Sequence, residues 1–228
     1  MTYELEIQIE ELRAEVRNAV DGAERRQIQA ELDYQVDSDC SFYFSLLAAR
    51  TDHQIVQQES LTIDPRHQVE YVPYGIGGHQ LVRLTASPGP LSLRYSATVQ
   101  LDPQHDDPQL LQELPFNQLP SEVLCYLNPS RYCESDKLTG FVQREFGSAT
   151  PGYARVRAVS DWVNQHMAYV PGTTDASSST ADALLLRAGV CRDFAHVAIS
   201  LCRALGIPAR YLSGYGIGVE PQDFHGFF

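Results

Sequence analysis

Cys191 and His225 are the two residues whose types and settings allow covalent chemistry. Cys191 opens the run Cys-Arg-Asp-Phe-Ala-His-Val-Ala-Ile-Ser-Leu-Cys-Arg-Ala-Leu-Gly206. Stepping about 100° per residue gathers Phe194, Ala195, Val197, Ala198, Ile199, Leu201, Cys202, Ala204 and Leu205 into one broad apolar arc. Arg192, Asp193, His196, Ser200 and Arg203 fill the remainder. The spacing predicts a helix buried over most of its circumference, with one thiol in its first turn. Gly206 suits a left-handed C-terminal residue, and Pro208 forbids continuation. A first-turn thiol lies at the positive end of the helix dipole, among N–H groups without intrahelical acceptors. Both favour thiolate: a solvated cysteine has a pKa of about 8.5, and such settings lower it by about one to several units. The same residue also suits a small core position, since free cysteines are often buried. Helix geometry alone leaves both readings open.

The elements that follow bear on that choice. Ile207 to Gly216 reads as a strand, with β-branched and aromatic content after a proline start. A loop from Ile217 to Gln222 leads to Asp223-Phe-His225-Gly-Phe-Phe228, a second short aromatic strand. A helix followed by two adjacent strands can carry His225 back beside the helix tip. Thiol on a helix N-terminus facing imidazole on a strand is the papain-type arrangement, in which the two form the working pair.

Gly-Val-Cys191-Arg-Asp-Phe-Ala-His, Cys-Arg-Ala-Leu-Gly-Ile-Pro-Ala-Arg-Tyr and Asp-Phe-His225 resemble the bacterial transglutaminase-like superfamily, whose members are often labelled cysteine proteases. The likeness extends upstream to Pro129-Ser-Arg-Tyr-Cys-Glu-Ser-Asp136 and Ala154-Arg-Val-Arg-Ala-Val-Ser-Asp-Trp162, so several blocks occur in order over about the last hundred residues. The resemblance implies Cys191 as nucleophile and His225 as its base. It also implies a third member, an aspartate about fifteen residues beyond His225; the sequence stops at Phe228. Family members continue the aromatic strand with Glu and Tyr after the histidine, where this sequence has only Gly226-Phe-Phe228, an ending that reads as a truncation. The implied oxyanion contacts combine the cysteine N–H with an upstream donor. Tyr169 and Trp162 are the candidates, with Trp162 better suited to core packing.

Composition sets the outer limits. The 228 residues carry a formal net charge of −12, which argues against non-specific nucleic-acid binding. No apolar run reaches membrane-spanning length and no signal peptide opens the chain, so a cytoplasmic location is the expectation and no membrane partner is implied. Five cysteines without paired spacing suit reduced thiols. Cys125, Cys133 and His166 lack metal-ligand spacing, so neither a metal nor another cofactor is expected. His196 lies well around the helix from Cys191 and reads as structural, near Asp193 or Arg192. Asp193 reads as a helix-dipole and packing residue, and Cys202 as core. Lys137 is the only lysine, which makes the protein a poor acyl acceptor for its own cross-linking.

The order of elements predicts an α+β chain with two domains. Residues 1–105 form an antiparallel β-sandwich-like domain, and residues 106–228 a papain-like, transglutaminase-like α+β core. Residues 2–10 alternate as a strand does, but Ile9, Leu12, Val16, Ala19, Val20 and Ala23 recur at helical spacing, and the preferred reading is a helix from about residue 9 to 30. Strands are expected at 32–36, 41–47, 55–63, 68–72, 80–85 and 91–99, separated by Asp37-Ser-Asp39, Asp64-Pro65, Gly75-Ile-Gly-Gly78 and Ser87-Pro-Gly-Pro90. The glycine cluster lacks the Lys-Ser/Thr and opening helix of a phosphate loop, and reads as a turn. Beyond the Pro- and Asp-rich segment 102–108, helices are expected at 120–127, 135–146, 154–167 and 181–187. Thr180 is the expected N-cap of the last and Gly189 its stop. The polar loop 172–179 would lie at the rim of a cleft or serve as a plain connector.

The functional expectation is cysteine-dependent acyl transfer on a peptide or carboxamide bond of a protein or peptide substrate, through a thioester. Hydrolysis by a protease or amidase is favoured over cross-linking. The alternative is a non-catalytic peptide- or protein-binding module on the same fold.

Overall fold

The computed structural model describes residues 24–74, 78–103, 105–216 and 224–228. Two compact units divide the chain: residues 1–104 with 215–223, and residues 105–214 with 224–228.

The first unit contains β1 (Glu24–Val36), β2 (Cys40–Phe44), β3 (Gln54–Asp64), β4 (Glu70–Pro73), β5 (Gln80–Ala86) and β6 (Gly89–Leu101). They form two three-stranded antiparallel sheets, ordered β1-β6-β3 and β2-β5-β4. In β6, Leu91, Leu93, Tyr95, Ala97 and Val99 are buried at every second position, as expected for a central strand with one face inward. Val82, Leu84 and Ala86 do the same in β5. Asp37-Ser-Asp39 and Ser87-Pro88 are two of the points where the chain changes sheet.

One expectation fails here. Residues 24–30 are not the end of a helix but the first half of β1, which pairs with β6 from Glu24↔Leu101 to Val36↔Gly89. Their Glu, Arg and Gln content favours helix locally, yet ladder bonds along thirteen residues and the burial of Ile28 outweigh that weak preference. The rest of the helix expected over 9–30, the alternation at 2–10 and the turn residues 75–77 lie outside the described residues.

The second unit is mainly helical. Three short 3₁₀ segments, Phe116–Gln118, Ser121–Leu127 and Ser135–Lys137, precede α1 (Thr139–Phe146) and α2 (Tyr153–His166). Then follow β7 (Ala168–Tyr169), α3 (Thr180–Leu186), β8 (Ala188–Gly189), α4 (Cys191–Ala204), β9 (Leu212–Tyr215) and β10 (Phe224–Phe227). The core joins Val142 and Phe146 of α1, Val159 and Val163 of α2, Ala183 of α3, and Val197, Ala198, Leu201 and Cys202 of α4. Helix α4 packs against α1, α2, α3, β8 and β10. Its apolar arc is therefore enclosed, and each fully buried Leu or Val contributes about 1.5–3 kcal/mol.

Local details differ from expectation at both ends of α3. Ser179, not Thr180, is its N-cap: the Asp182 carboxylate accepts the Ser179 N–H at 2.8 Å. Thr180 turns inward instead and shares its hydroxyl among Tyr132 O, His196 O and Ser200 Oγ. The helix stops at Arg187, which is left-handed at φ 50°, rather than at Gly189. The strand expected over 207–216 is confined to 212–215, and β9 pairs with β10.

Candidate active site

Cys191 is the first residue of α4, half-buried, at the tip of the most enclosed helix of its unit. The tip is closed by Asp193, the third residue of the helix. Its Oδ2 accepts the Val190 N–H at 2.9 Å and the Thr174 hydroxyl at 2.6 Å, and Arg192 lies 3.2 Å from its Oδ1. Asp193 is only 1% exposed, so this charge is held by hydrogen bonds and an ion pair rather than by water. A Cβ on Gly189 would lie 2.6 Å from the Asp193 Cβ, which explains a glycine two residues before the thiol. At the far end, Gly206 has φ 81°, its N–H bonds to Arg203 O, and the Ile207 N–H bonds to Cys202 O. This is a Schellman closure.

A two-residue parallel bridge sets the approach to the thiol. Ala168 pairs with Ala188 and Tyr169 with Gly189, so β7 runs beside the turn that leads into Cys191. Tyr169 is partly exposed, with its ring 6.1 Å from that of Phe194. Trp162 is in the core instead, edge-on to Phe141 and Phe146 and stacked on His166 at 4.3 Å.

The loop at 172–179 is tied down by its own polar groups. Asp175 Oδ1 accepts the Ser177 and Ser178 hydroxyls and their N–H groups. The Ser177 hydroxyl foremost, with the other three donors, holds this carboxyl down at about 2. Tyr132 donates its hydroxyl to Ala176 O, and Thr174 joins the loop to Asp193.

His225 lies in β10, half-buried, and β10 packs on α4. The fold therefore brings the strand carrying the imidazole to the helix carrying the thiol. Between them stands Tyr211, a residue not singled out by sequence. Its hydroxyl edge presses on the Gly226 backbone, where a Cβ would lie 2.7 Å from Tyr211 Cζ. Burial, followed by the charge of Cys191, raises the Tyr211 hydroxyl above its ordinary value. Glycine inside an aromatic strand is the sequence signal for such a close approach. His196 is stacked on Tyr132 at 5.3 Å and has the Tyr211 ring tilted against it at 5.4 Å, the middle of a small aromatic cluster.

The remaining cysteines have other settings. Cys202 is buried in the core and pushed up to about 12, first by burial and then by Glu113. Burial likewise raises Cys133. Among the described residues no group of three His, Cys, Asp or Glu side chains converges on a metal position. None of the described helices is long and apolar enough to cross a membrane.

Comparison with known proteins places these elements in a family. Residues 140–227 match the model of the transglutaminase-like superfamily, and residues 25–122 match that of the bacterial transglutaminase N-terminal domain. The chain belongs to the transglutaminase-like superfamily. The crystal structure of a candidate cysteine protease from Cytophaga hutchinsonii is similar at a TM-score of 0.85 and 40% identity, over 91% of this chain and 72% of that one. An uncharacterized protein of Mycobacterium leprae is 37% identical over 89 residues, 39% of this chain and 32% of its own length. One from Mycobacterium tuberculosis (strain H37Rv) is 33% identical over 97 residues, 42% of this chain and 30% of its own. The matched segment thus spans about a third of these mycobacterial relatives. Membership in the transglutaminase-like superfamily, with a candidate cysteine protease as structural neighbour, supports cysteine-type catalysis.

Proposed function

We propose that this transglutaminase-like protein carries out cysteine-dependent acyl transfer on a peptide or carboxamide bond, with Cys191 as nucleophile and His225 as its acid–base partner. The observation that carries the reading is the packing of β10, with His225, on the helix whose first residue is Cys191.

The chemistry follows from these two groups. Cys191 thiolate attacks the carbonyl carbon, forming a C–S bond and a tetrahedral oxyanion. Backbone N–H groups at a helix N-terminus are suited to receive that charge. The intermediate collapses by breaking the C–N bond, and the imidazolium of His225 protonates the departing amine. In the second half His225 takes a proton from water, a C–O bond forms, and the C–S bond breaks. The carboxylic acid leaves and the thiolate returns.

Water rather than an amine is the proposed acceptor. The structural neighbour described as a candidate cysteine protease favours hydrolysis, and the substrate proposed is a protein or peptide. The test is full-length protein on quenched-fluorescent peptides and on glutamine amides, with and without an added primary amine. Peptide or amide hydrolysis that falls by at least about 10²-fold in both Cys191→Ala and His225→Ala supports the reading. Amine incorporation without hydrolysis would reassign the acceptor. Tight peptide binding with no turnover would make the protein a binding module.

A further inference from the structure

Helix α4 and strand β10 have a spacer between them. Tyr211 leans on one side against His196, five residues along α4 from Cys191, with ring centroids 5.4 Å apart. On the other side its Cζ and Cε2 would stand 2.7 and 3.0 Å from a Cβ at Gly226, and its hydroxyl closer still. Real Cβ atoms do not approach that closely, so the ring fills the space that a side chain at 226 would need. The outer face of His196 is stacked in turn on Tyr132 at 5.3 Å, nearly parallel. The route His196–Tyr211–Gly226 therefore runs from the helix that bears the thiol to the residue next to His225. Both tyrosine neighbours of the histidine resist displacement: Tyr132 is hydrogen-bonded to Ala176 O, and the residue before Tyr211, Arg210, covers the ring of Tyr126 at 5.9 Å. Phe227, on the other flank of Gly226, has its ring 3.1 Å from where a Cβ on Gly214 of β9 would be. Two aromatic-on-glycine contacts thus join β10 to the single segment 211–214, Tyr211 on Gly226 and Phe227 on Gly214.

We propose that Tyr211 is a positioning residue for His225: its ring, held between His196 and the Gly226 backbone, sets how β10 lies on α4 and hence where the imidazole meets Cys191. This rests on the reading of Cys191 and His225 as the reacting pair. The reach of the ring from His196 to its Cζ–Cε2 edge is the dimension that matters; phenylalanine keeps those two carbons at Gly226 and loses only the hydroxyl, whereas alanine loses the whole contact.

Iodoacetamide is the probe, with the alkylation rate of Cys191 followed from about pH 5.5 to 9 by peptide mass mapping. At pH 6.5 the wild type reacts about tenfold faster than His225→Ala, because the imidazolium holds the thiolate. Gly226→Ala drops toward the His225→Ala rate, since its Cβ forces β10 off the Tyr211 ring. Tyr211→Ala also drops, whereas Tyr211→Phe retains most of the rate. Gly226→Ala combined with Tyr211→Ala reacts faster than Gly226→Ala alone, because the obstructing ring is gone. Circular dichroism and thermal melts check folding, and if Gly226→Ala does not fold, Tyr211→Ala against Tyr211→Phe decides. Equal rates for those two, or a wild-type profile in Gly226→Ala, overturn the inference while a slowed His225→Ala leaves the reacting pair standing. A wild-type profile in His225→Ala removes the pair, and the positioning role with it.

Discussion

The Asp193 carboxylate accepts the N–H of Val190 across the first turn of α4, at 2.9 Å. Val190 is the N-cap residue and its side chain offers no acceptor, so an aspartate three positions into the helix supplies the cap from within. The same oxygen accepts the Thr174 hydroxyl, and Arg192 contacts both. One buried charge thus joins the turn before Cys191, the helix that follows and the loop at 172–179.

Removing it leaves the Val190 N–H and the Thr174 hydroxyl without their acceptor and Arg192 without its carboxylate partner. Asp193→Ala is expected to destabilise the protein by about 2–3 kcal/mol, the range for losing a helix cap and hydrogen bonds to a buried charge. Asp193→Asn, which keeps one carbonyl oxygen, should cost less. Urea unfolding of both variants at pH 7 checks the order. Equal stability of Asp193→Ala and wild type would mean that the carboxylate does not hold this turn.

Glu134 gives a pH dependence in the acid range. It accepts from Lys137, from the Ser179 hydroxyl at 2.6 Å and from the Ala181 N–H at 3.2 Å, at the start of α3. The Lys137 bond foremost, then that from Ser179, lowers its carboxyl from 4.5 to about 2. A folded value below the unfolded one means that the stabilisation is complete above about 4.5 and lost as pH falls toward 2. Glu134→Gln should therefore melt below the wild type at pH 6, with the gap narrowing at pH 3. A gap that stays constant over that interval would exclude the linkage.

Much of this architecture could be read in the residues themselves. Strand signals placed β2 to β6 within a few positions, most plainly β5 and β6, where every second residue is buried and a period of two suffices to show it. The span of α4 was equally legible from its apolar arc and its Gly-Ile-Pro end. What could not be read was set by partners distant in sequence. Asp193 read as a helix-dipole and packing residue and Ser200 only as part of the polar sector of α4; their partners, the Val190 N–H with Thr174 and the Thr180 hydroxyl, lie outside any helical period. The β7–β8 bridge is two residues long, too short to leave a period. Tyr211 read as one more strand aromatic, since its meaning comes from Gly226, fifteen positions later.

His196 should make the protein less stable as pH falls below neutrality. Burial between Tyr132 and Tyr211 lowers its pKa from 6.5; Asp193 opposes that shift, while Arg192 and Arg203 add to it. The folded state thus prefers the neutral ring. Below about 6.5 the unfolded chain binds the proton more readily, so stability drops with pH through that point and the loss ends once the folded ring also titrates. His196→Phe keeps the stack but not the charge. Urea midpoints at pH 7.5, 6 and 5 should fall less for this variant than for the wild type, and parallel declines would refute the assignment.

The thiols offer a test of burial that is independent of catalysis. Alkylation requires thiolate and access, and Cys133 and Cys202 lack both: each is buried, and burial raises the one and pushes the other up to about 12. Cys125 is exposed and Cys191 half-buried at a helix tip. Brief treatment of the native protein with iodoacetamide at pH 7.5 should modify Cys125 and Cys191 and leave Cys133 and Cys202 free, with both becoming reactive in denaturant. Cys202 lies on the same face of α4 as Leu201 and Ala198, inside the core that joins all four helices. Its modification in the native state, at a rate comparable to that of Cys125, would show that α4 is not enclosed as described.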